Sequence, residues 1–242
     1  MIKIGTRSSE LALWQANTVA RQLENLGHTT KIIKIDSIGD QVLDKPLYEL
    51  GVTGVFTKSL DFALINGDID IAVHSLKDVP TKLPEGVIQA AVLKRGNYND
   101  VLILKKDENF FENEIATIAT GSLRRKAQWL HRYPKHNITG LRGNVNTRLQ
   151  KLKDNPWDGA IFALAGLSRI KLLPNKDRHI KLDWMLPAPA QGAIMIAALK
   201  KNNNAVDACK ELNDEETAVC VAIEREFLRV LEGGCTAPIG AL

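Results

Sequence analysis

No run of this chain is apolar for long enough to cross a membrane, since a spanning helix needs roughly 18 such residues in a row and no stretch approaches that. The opening Met1-Ile-Lys-Ile-Gly goes straight into a strand pattern without the layout of a secretory signal. A cytoplasmic protein is expected. Cysteine is scarce. Cys209, Cys220 and Cys235 are too far apart for a Cys-x-x-Cys metal pair, and an odd number excludes a complete disulfide framework. The 5 histidines show no metal spacing. Aromatic residues make up 5% of the chain and are not interleaved with any basic run, which argues against a nucleic-acid partner. Neither Gly-x-x-x-x-Gly-Lys-Ser/Thr nor Gly-x-Gly-x-x-Gly is present at a strand-to-helix turn, so the usual nucleotide cradles are missing.

What remains is an ordinary globular composition, 45% hydrophobic and 25% charged over 242 residues, enough for one large or two modest domains. The net charge of +4 permits a polyanionic partner without requiring one.

The pattern along the chain is α/β. A strand at Ile2–Gly5 leads through Gly5-Thr-Arg-Ser-Ser into a helix carrying Leu11, Trp14, Val19 and Leu23. Arg7, Ser8 and Ser9 therefore stand at a helix N-terminus, which favours anions, although Ser8 or Ser9 also fits a simple capping role. Lys31–Ile35 reads as a strand. Asp36–Thr53 lacks periodicity and reads as a long loop, of the size of a lid. A helix from Thr57 precedes the apolar run Ile69, Ile71, Ala72, Val73, which breaks into His74, Ser75, Lys77 and Asp78 before Pro80. In an open α/β sheet, ligands sit beyond the carboxyl ends of strands, and Asp78 is in that place. A Lys-Asp pair in a loop is, taken alone, more often a solvated surface pair. His74 reads as a packing or orienting residue.

Val87–Leu93 completes a first unit of largely parallel strands, and the polar stretch Lys94–Asp100 reads as a boundary. Strands at Ala116–Thr120, Asn137–Leu141 and Gly159–Ala163 follow, each leading into a helical pattern. Their turns carry Arg124 and Arg125, then Arg142 and Arg148, then Arg169. One such arginine is unremarkable, but guanidinium groups at successive strand ends converge on one crevice, and arginine suits bidentate capture of carboxylate. A carboxylate-rich ligand is the expectation. Thr120 and Ser122 add hydroxyl donors there or serve as caps. Beyond the prolines of Ile180–Pro189, the run from Gln191 to Leu199 reads as a buried strand returning to the first unit, which makes a double crossover and a hinge. Asn203–Leu212 and Glu215–Leu231 read as helices, the second with Val219, Ile223, Phe227 and Leu231 on its apolar face. Cys209 and Cys220 lie in helical patterns as buried small hydrophobes. Cys235 instead follows Gly233-Gly234 on a tight loop.

Six stretches give the chain a family resemblance. They are Gly5-Thr-Arg-Ser-Ser-Glu-Leu-Ala-Leu-Trp-Gln, Asp70-Ile-Ala-Val-His-Ser-Leu-Lys-Asp-Val-Pro, Gly121-Ser-Leu-Arg-Arg, Leu141-Arg-Gly-Asn-Val-Asn-Thr-Arg-Leu, Leu186-Pro-Ala-Pro-Ala-Gln-Gly-Ala and Leu231-Glu-Gly-Gly-Cys-Thr-Ala-Pro-Ile-Gly. In this order they resemble the porphobilinogen deaminases, or hydroxymethylbilane synthases. The resemblance implies a transferase that joins four porphobilinogen molecules head to tail with loss of ammonia. It also implies a dipyrromethane cofactor held by a thioether to Cys235, with Asp78 as the catalytic carboxylate.

By the same resemblance Lys77 holds cofactor carboxylates. Arg7, Ser9, Ser122, Arg124, Arg125, Arg142, Asn144, Arg148, Arg169 and Gln191 bind the acetate and propionate groups of cofactor, substrate or growing chain. The implied enzyme is a monomer with no membrane or nucleic-acid partner, passing its product to uroporphyrinogen-III synthase.

The expected fold is two lobes like those of type II periplasmic binding proteins, joined by crossover hinge segments. Residues 1–94 with 192–212 form the first domain and 95–191 the second. Residues 213–242 begin a small, incomplete third α/β domain carrying the cysteine loop. Two positions depart from the common family pattern, Thr53 where a lid lysine is usual and Glu10 where a proline is frequent. A two-lobed binding protein for a polycarboxylate, without catalysis, is the alternative.

Overall fold

Short apolar runs and helical periodicity alternate from the second residue onward, and strands and helices alternate accordingly. The computed structural model describes residues 1–36, 57–105, 115–231, 233 and 237–242. Nearly all of the lid reading at Asp36–Thr53, including Thr53, and the loop at Cys235 lie outside the described residues.

β1 (Ile2–Thr6) feeds α1 (Glu10–Asn25), β2 (Thr30–Lys34) follows, and α2 (Lys58–Asn66) leads to β3 (Ile71–Ser75). One 3-10 turn, Leu76–Asp78, separates β3 from the loop to β4 (Val87–Leu93). The chain then builds a second sheet from β5 (Asp100–Leu104), β6 (Thr117–Ala119), β7 (Asn137–Thr139), β8 (Gly159–Ala163) and β9 (His179–Leu182). Its helices are α3 (Leu123–Arg132), α4 (Val145–Asp154) and α5 (Leu164–Arg169). β10 (Ile194–Leu199), α6 (Asn203–Lys210) and α7 (Glu215–Val230) follow.

The two sheets are built alike. The first has the order β2-β1-β3-β10-β4 and the second β7-β6-β8-β5-β9. In each, the first-listed three strands pair in parallel, and the strand arriving by crossover inserts antiparallel beside them, β10 between β3 and β4 and β5 between β8 and β9. The expectation of largely parallel strands holds for β1 to β4, which all run the same way, while β10 enters between β3 and β4 antiparallel to both. The polar stretch before Asp100 concealed β5, and the prolines after β9 concealed that strand.

Each sheet is covered on both faces, which accounts for the unbroken apolar runs. Along β3, Ile71 and Val73 pack against α1 and α6, while Ala72 between them packs against α2. Along β5, Val101 and Ile103 face one cluster, while Leu102 and Leu104 face another that contains the fully buried Trp129 of α3. Burying a large apolar side chain contributes roughly 1.5–3 kcal/mol, so these layers fix the register of both sheets.

Helix α7 differs from its reading. Val219, Ile223, Phe227 and Leu231 face solvent at 49–67% exposure, and the helix packs instead through Thr217, Val221, Glu224 and Leu228. A charged side chain on the packed face hid the true seam. Cys220, read as buried with Cys209, is exposed on the same helix.

Candidate active site

The two crossovers run side by side. Gly96 N–H donates to the Gly192 carbonyl (3.0 Å), and Gly192 has φ +91 with space for no Cβ, which would come within 2.8 Å of the Gly96 oxygen. Only glycine permits that close approach. The lobes meet above this hinge. Leu11 of α1 lies against Gly166 of α5, and the Arg169 guanidinium stacks over Trp14 at 5.6 Å while donating to the Gly192 carbonyl (2.6 Å). Asn146 at the start of α4 donates to the Glu10 carboxylate at the start of α1 (2.8 Å).

Between the lobes lies a cavity of about 210 Å³. Arg7 and Ser9 reach it from the turn into α1, and Lys77 and Asp78 from the turn after β3. Arg125 of α3, Arg142 of the turn before α4, and Asn144 and Arg148 at its start close the other side. Residues scattered through the sequence are thus brought together at the carboxyl ends of strands.

Local structure sets their positions. Ser9 Oγ accepts from Ala12 N–H (3.3 Å), Ser122 Oγ from Arg125 N–H (3.4 Å) and Asn144 Oδ1 from Thr147 N–H (3.0 Å). All three residues are N-caps.

Electrostatics is dominated by crowded cations. Burial, with the fields of Arg125, Arg142 and Arg7, lowers the Arg148 pKa to about 10 against the opposing pull of Asp78. Burial also lowers Arg142. Lys77 falls to about 8, mainly through burial, while Asp78 and Asp100 support its charge and Arg125 and Arg124 oppose it. Burial beside Arg7 takes His74 down to about 4 and holds the imidazole neutral. An incoming carboxylate relieves this repulsion.

Thr120, Ser122, Arg124, Arg169 and Gln191 do not line the cavity. Arg124 donates to Leu186 O (2.6 Å) and to Asp100 Oδ2 (2.7 Å). Arg125 also holds Asp100, through Nη2 to Oδ1 at 2.7 Å, and donates to Ile161 O. Gln191, fully buried, accepts from Lys77 Nζ (3.2 Å) and donates to Asp100 Oδ1 (2.9 Å). Thr120 Oγ1 accepts from Ser122 N–H. These groups form the wall behind the cleft.

Asp100 is the residue that sequence reasoning missed. It is fully buried, and although burial opposes its charge, Arg125 and Arg124 outweigh that and hold its pKa at about 2. Two adjacent arginines read as ligand-binding were the available signal, since such a pair in a core requires a counter-ion. Glu224 was missed likewise. It lies on α7 and grips Arg95 (2.5 Å) and Ala190 N–H (2.7 Å), one in each crossover.

Comparison with known sequences agrees with this geometry. Residues 2–207 match the family described as porphobilinogen deaminase, dipyromethane cofactor binding domain, and residues 218–242 match the C-terminal domain of the same family. The chain belongs to the porphobilinogen deaminase family.

Among the relatives, the probable porphobilinogen deaminase of Methanocaldococcus jannaschii is 46% identical over 100% of this chain and 82% of its own length. The enzyme of Syntrophotalea carbinolica is 42% identical over 99% and 77%. The chloroplastic porphobilinogen deaminase of Oryza sativa is 43% identical over 100% and 69%. Among solved structures, the methionine-binding protein MetQ superposes with a TM-score of 0.56 at 17% identity, over 93% of this chain and 96% of that one. A periplasmic substrate-binding protein of an ABC transporter from Coxiella burnetii gives 0.55 at 16% identity, over 93% and 98%. Both show the two-lobed type II binding-protein fold of this porphobilinogen deaminase family member. None of its described helices is long and apolar enough to cross a membrane.

Proposed function

We propose that this protein condenses four porphobilinogen molecules head to tail, releasing ammonia at each step, to give the tetrapyrrole precursor hydroxymethylbilane. The observation that carries the reading is the carboxylate of Asp78 set among Lys77, Arg125, Arg142 and Arg148 in one interlobe cleft, in a chain of this family.

The donor set fits a dipyrromethane, whose carboxylates require several cations in a confined space. When bound through Cys235, that group supplies the pyrrole carbon from which the chain grows. Arg7, Arg142 and Arg148, with the hydroxyl of Ser9 and the amide of Asn144, bind acetate and propionate groups. Lys77 does the same for the cofactor. Arg125 contributes mainly its field, because its donors already hold Asp100 and Ile161 O. Arg124, Arg169, Gln191, Thr120 and Ser122 support the wall and the hinge. Asp78 stabilises the positive charge that develops on the substrate's pyrrole nitrogen as ammonia leaves, and then receives the proton released from the attacked ring carbon.

On the same reading residues 1–94 with 192–212 are one domain, 95–191 a second, and 213–242 belong to a third. Support comes from β10 lying in the first sheet and from the family boundaries at 207 and 218. The reading also makes the protein a cytoplasmic monomer whose product passes to uroporphyrinogen-III synthase, on the support of family resemblance.

Intact mass of the purified protein, with Cys235→Ala beside it, tests the function. A dipyrromethane's mass on the parent, lost in the variant, is the expected result. An unmodified chain that binds porphobilinogen and returns it unchanged would overturn it in favour of a polycarboxylate-binding protein.

A further inference from the structure

The turn that presents Lys77 and Asp78 is too short to hold its own shape. A three-residue 3-10 turn has few internal hydrogen bonds, and those have poor geometry. Here Val79 N–H returns to the Leu76 carbonyl (3.1 Å), and Leu76 N–H is taken by the Ala193 carbonyl (3.1 Å) of the return crossover. The carbonyls of the turn and its exit find their partner far away in sequence. Arg225 of α7 donates through Nη1 to Leu76 O (3.3 Å) and Val79 O (2.9 Å), and through Nη2 to Pro80 O (2.7 Å). One planar guanidinium thus ties both ends of the turn together, a geometry that a lysine ammonium cannot reproduce. One helical turn earlier, Val221 packs into the same cluster as Leu76 and Val79. Beside Arg225, Glu224 holds Arg95 and Ala190 of the two crossovers. Consecutive residues of α7 therefore grip the hinge and the reacting turn.

We propose that Arg225 is a positioning residue for the condensation, fixing the backbone of residues 76–80 so that the Asp78 carboxylate meets the substrate at one angle. The inference rests on the reading of Asp78 as the reacting carboxylate. Displacement of a reacting group by about 1 Å costs on the order of 100-fold in rate, so losing the tie lowers turnover more than binding.

The test uses the cofactor-loaded protein and its variants Arg225→Ala, Arg225→Lys and Asp78→Asn, with Glu226→Gln on the exposed face of α7 as control. In Arg225→Ala, kcat should fall about 10- to 100-fold with KM within about threefold. Added guanidinium ion should restore part of the rate, Arg225→Lys should lie between, and Glu226→Gln should match the parent. Hydrogen exchange of the Leu76 to Val79 amides should quicken in Arg225→Ala while the strands of the second sheet exchange as before. Parental kcat and parental exchange in Arg225→Ala would overturn the proposal. So would a rate loss matched by lost folding or lost cofactor and unresponsive to guanidinium. Full activity in Asp78→Asn would instead remove the functional reading on which the proposal stands.

Discussion

The two lobes share one sheet order and one crossover device, yet among the residues lining the cleft the first lobe supplies acids as well as cations, and the second supplies cations without an acid. The first lobe contributes Asp78, the carboxylate proposed to react, on a short turn after β3, together with Glu10 and the cations Arg7 and Lys77. Arg125, Arg142 and Arg148, three of the cleft's cations, come from the second lobe, from the turns that enter α3 and α4 or the helices themselves. On the proposed roles, a common scaffold thus carries reaction with recognition on one lobe and recognition alone on the other. Strand ends in this architecture all open on the same crevice, so the chemistry of each turn can vary without changing the layers beneath it.

The comparison predicts where damage falls. The largest effect is expected at Asp100, which balances the second lobe's arginines without touching the cleft. Asp100→Asn leaves two buried guanidinium groups uncompensated and should cost about 3–5 kcal/mol of stability, seen as a lower denaturation midpoint. The sign with pH is definite. The folded pKa of about 2 lies below the ordinary 3.8, so the contribution is complete above the ordinary value and is lost as pH falls toward 2. The gap between parent and variant should close across that window, and a gap that persisted at pH 2 would count against the assigned ion pairs.

Next comes the first lobe. Asp78→Asn keeps the shape and removes the charge, and it should slow turnover about 10²- to 10³-fold with little change in substrate affinity. Near-normal turnover would remove Asp78, and with it the first lobe, from the reacting role. Removing a second-lobe cation should do the reverse. Arg148→Gln should raise KM about 10- to 100-fold, as expected for one charge-assisted hydrogen bond, with a smaller change in kcat. A loss confined to kcat would place Arg148 with the reacting groups.

A milder effect follows from Lys77. With its pKa lowered to about 8, the free protein loses that charge as pH rises past 8. Cofactor carboxylates bind the protonated form, so the porphobilinogen concentration needed to load the cofactor-free protein should climb by up to about tenfold per pH unit above that point. In Lys77→Arg the rise should be absent. The smallest change is expected at the mouth of the cleft. Glu10→Ala removes one exposed interlobe hydrogen bond to Asn146 and should alter KM by about twofold or less. A larger shift would make this contact a latch between the lobes.

Reading the chain found the strands and helices whose signals are local, including β4 and β8 to the residue. It missed β5, whose buried run Val101 to Leu104 follows a polar stretch resembling a linker. It also missed β9, where lysine and histidine alternate with apolar residues ahead of the prolines. The apolar stripe of α7 exists, but the helix packs on its other side, because Glu224 and Arg225 find partners in the hinge and in the 76–80 turn. No periodicity reveals that a charged residue belongs to a packed face.

What the amino-acid sequence determined by itself was the alternation of elements, the capped helix starts and the arginines at successive turns. Each depends on residues within one helical turn or one strand, where backbone sterics and side-chain spacing decide. The tertiary structure alone decided which of those arginines face the cleft and which are held by the protein. Asp100 meets Arg124 across 24 positions and Glu224 meets Arg95 across 129. Charges so far apart in sequence become partners only through the fold, Asp100 and Arg124 inside the second lobe and Arg95 and Glu224 at the hinge, and burial there makes an unpaired charge too costly to leave.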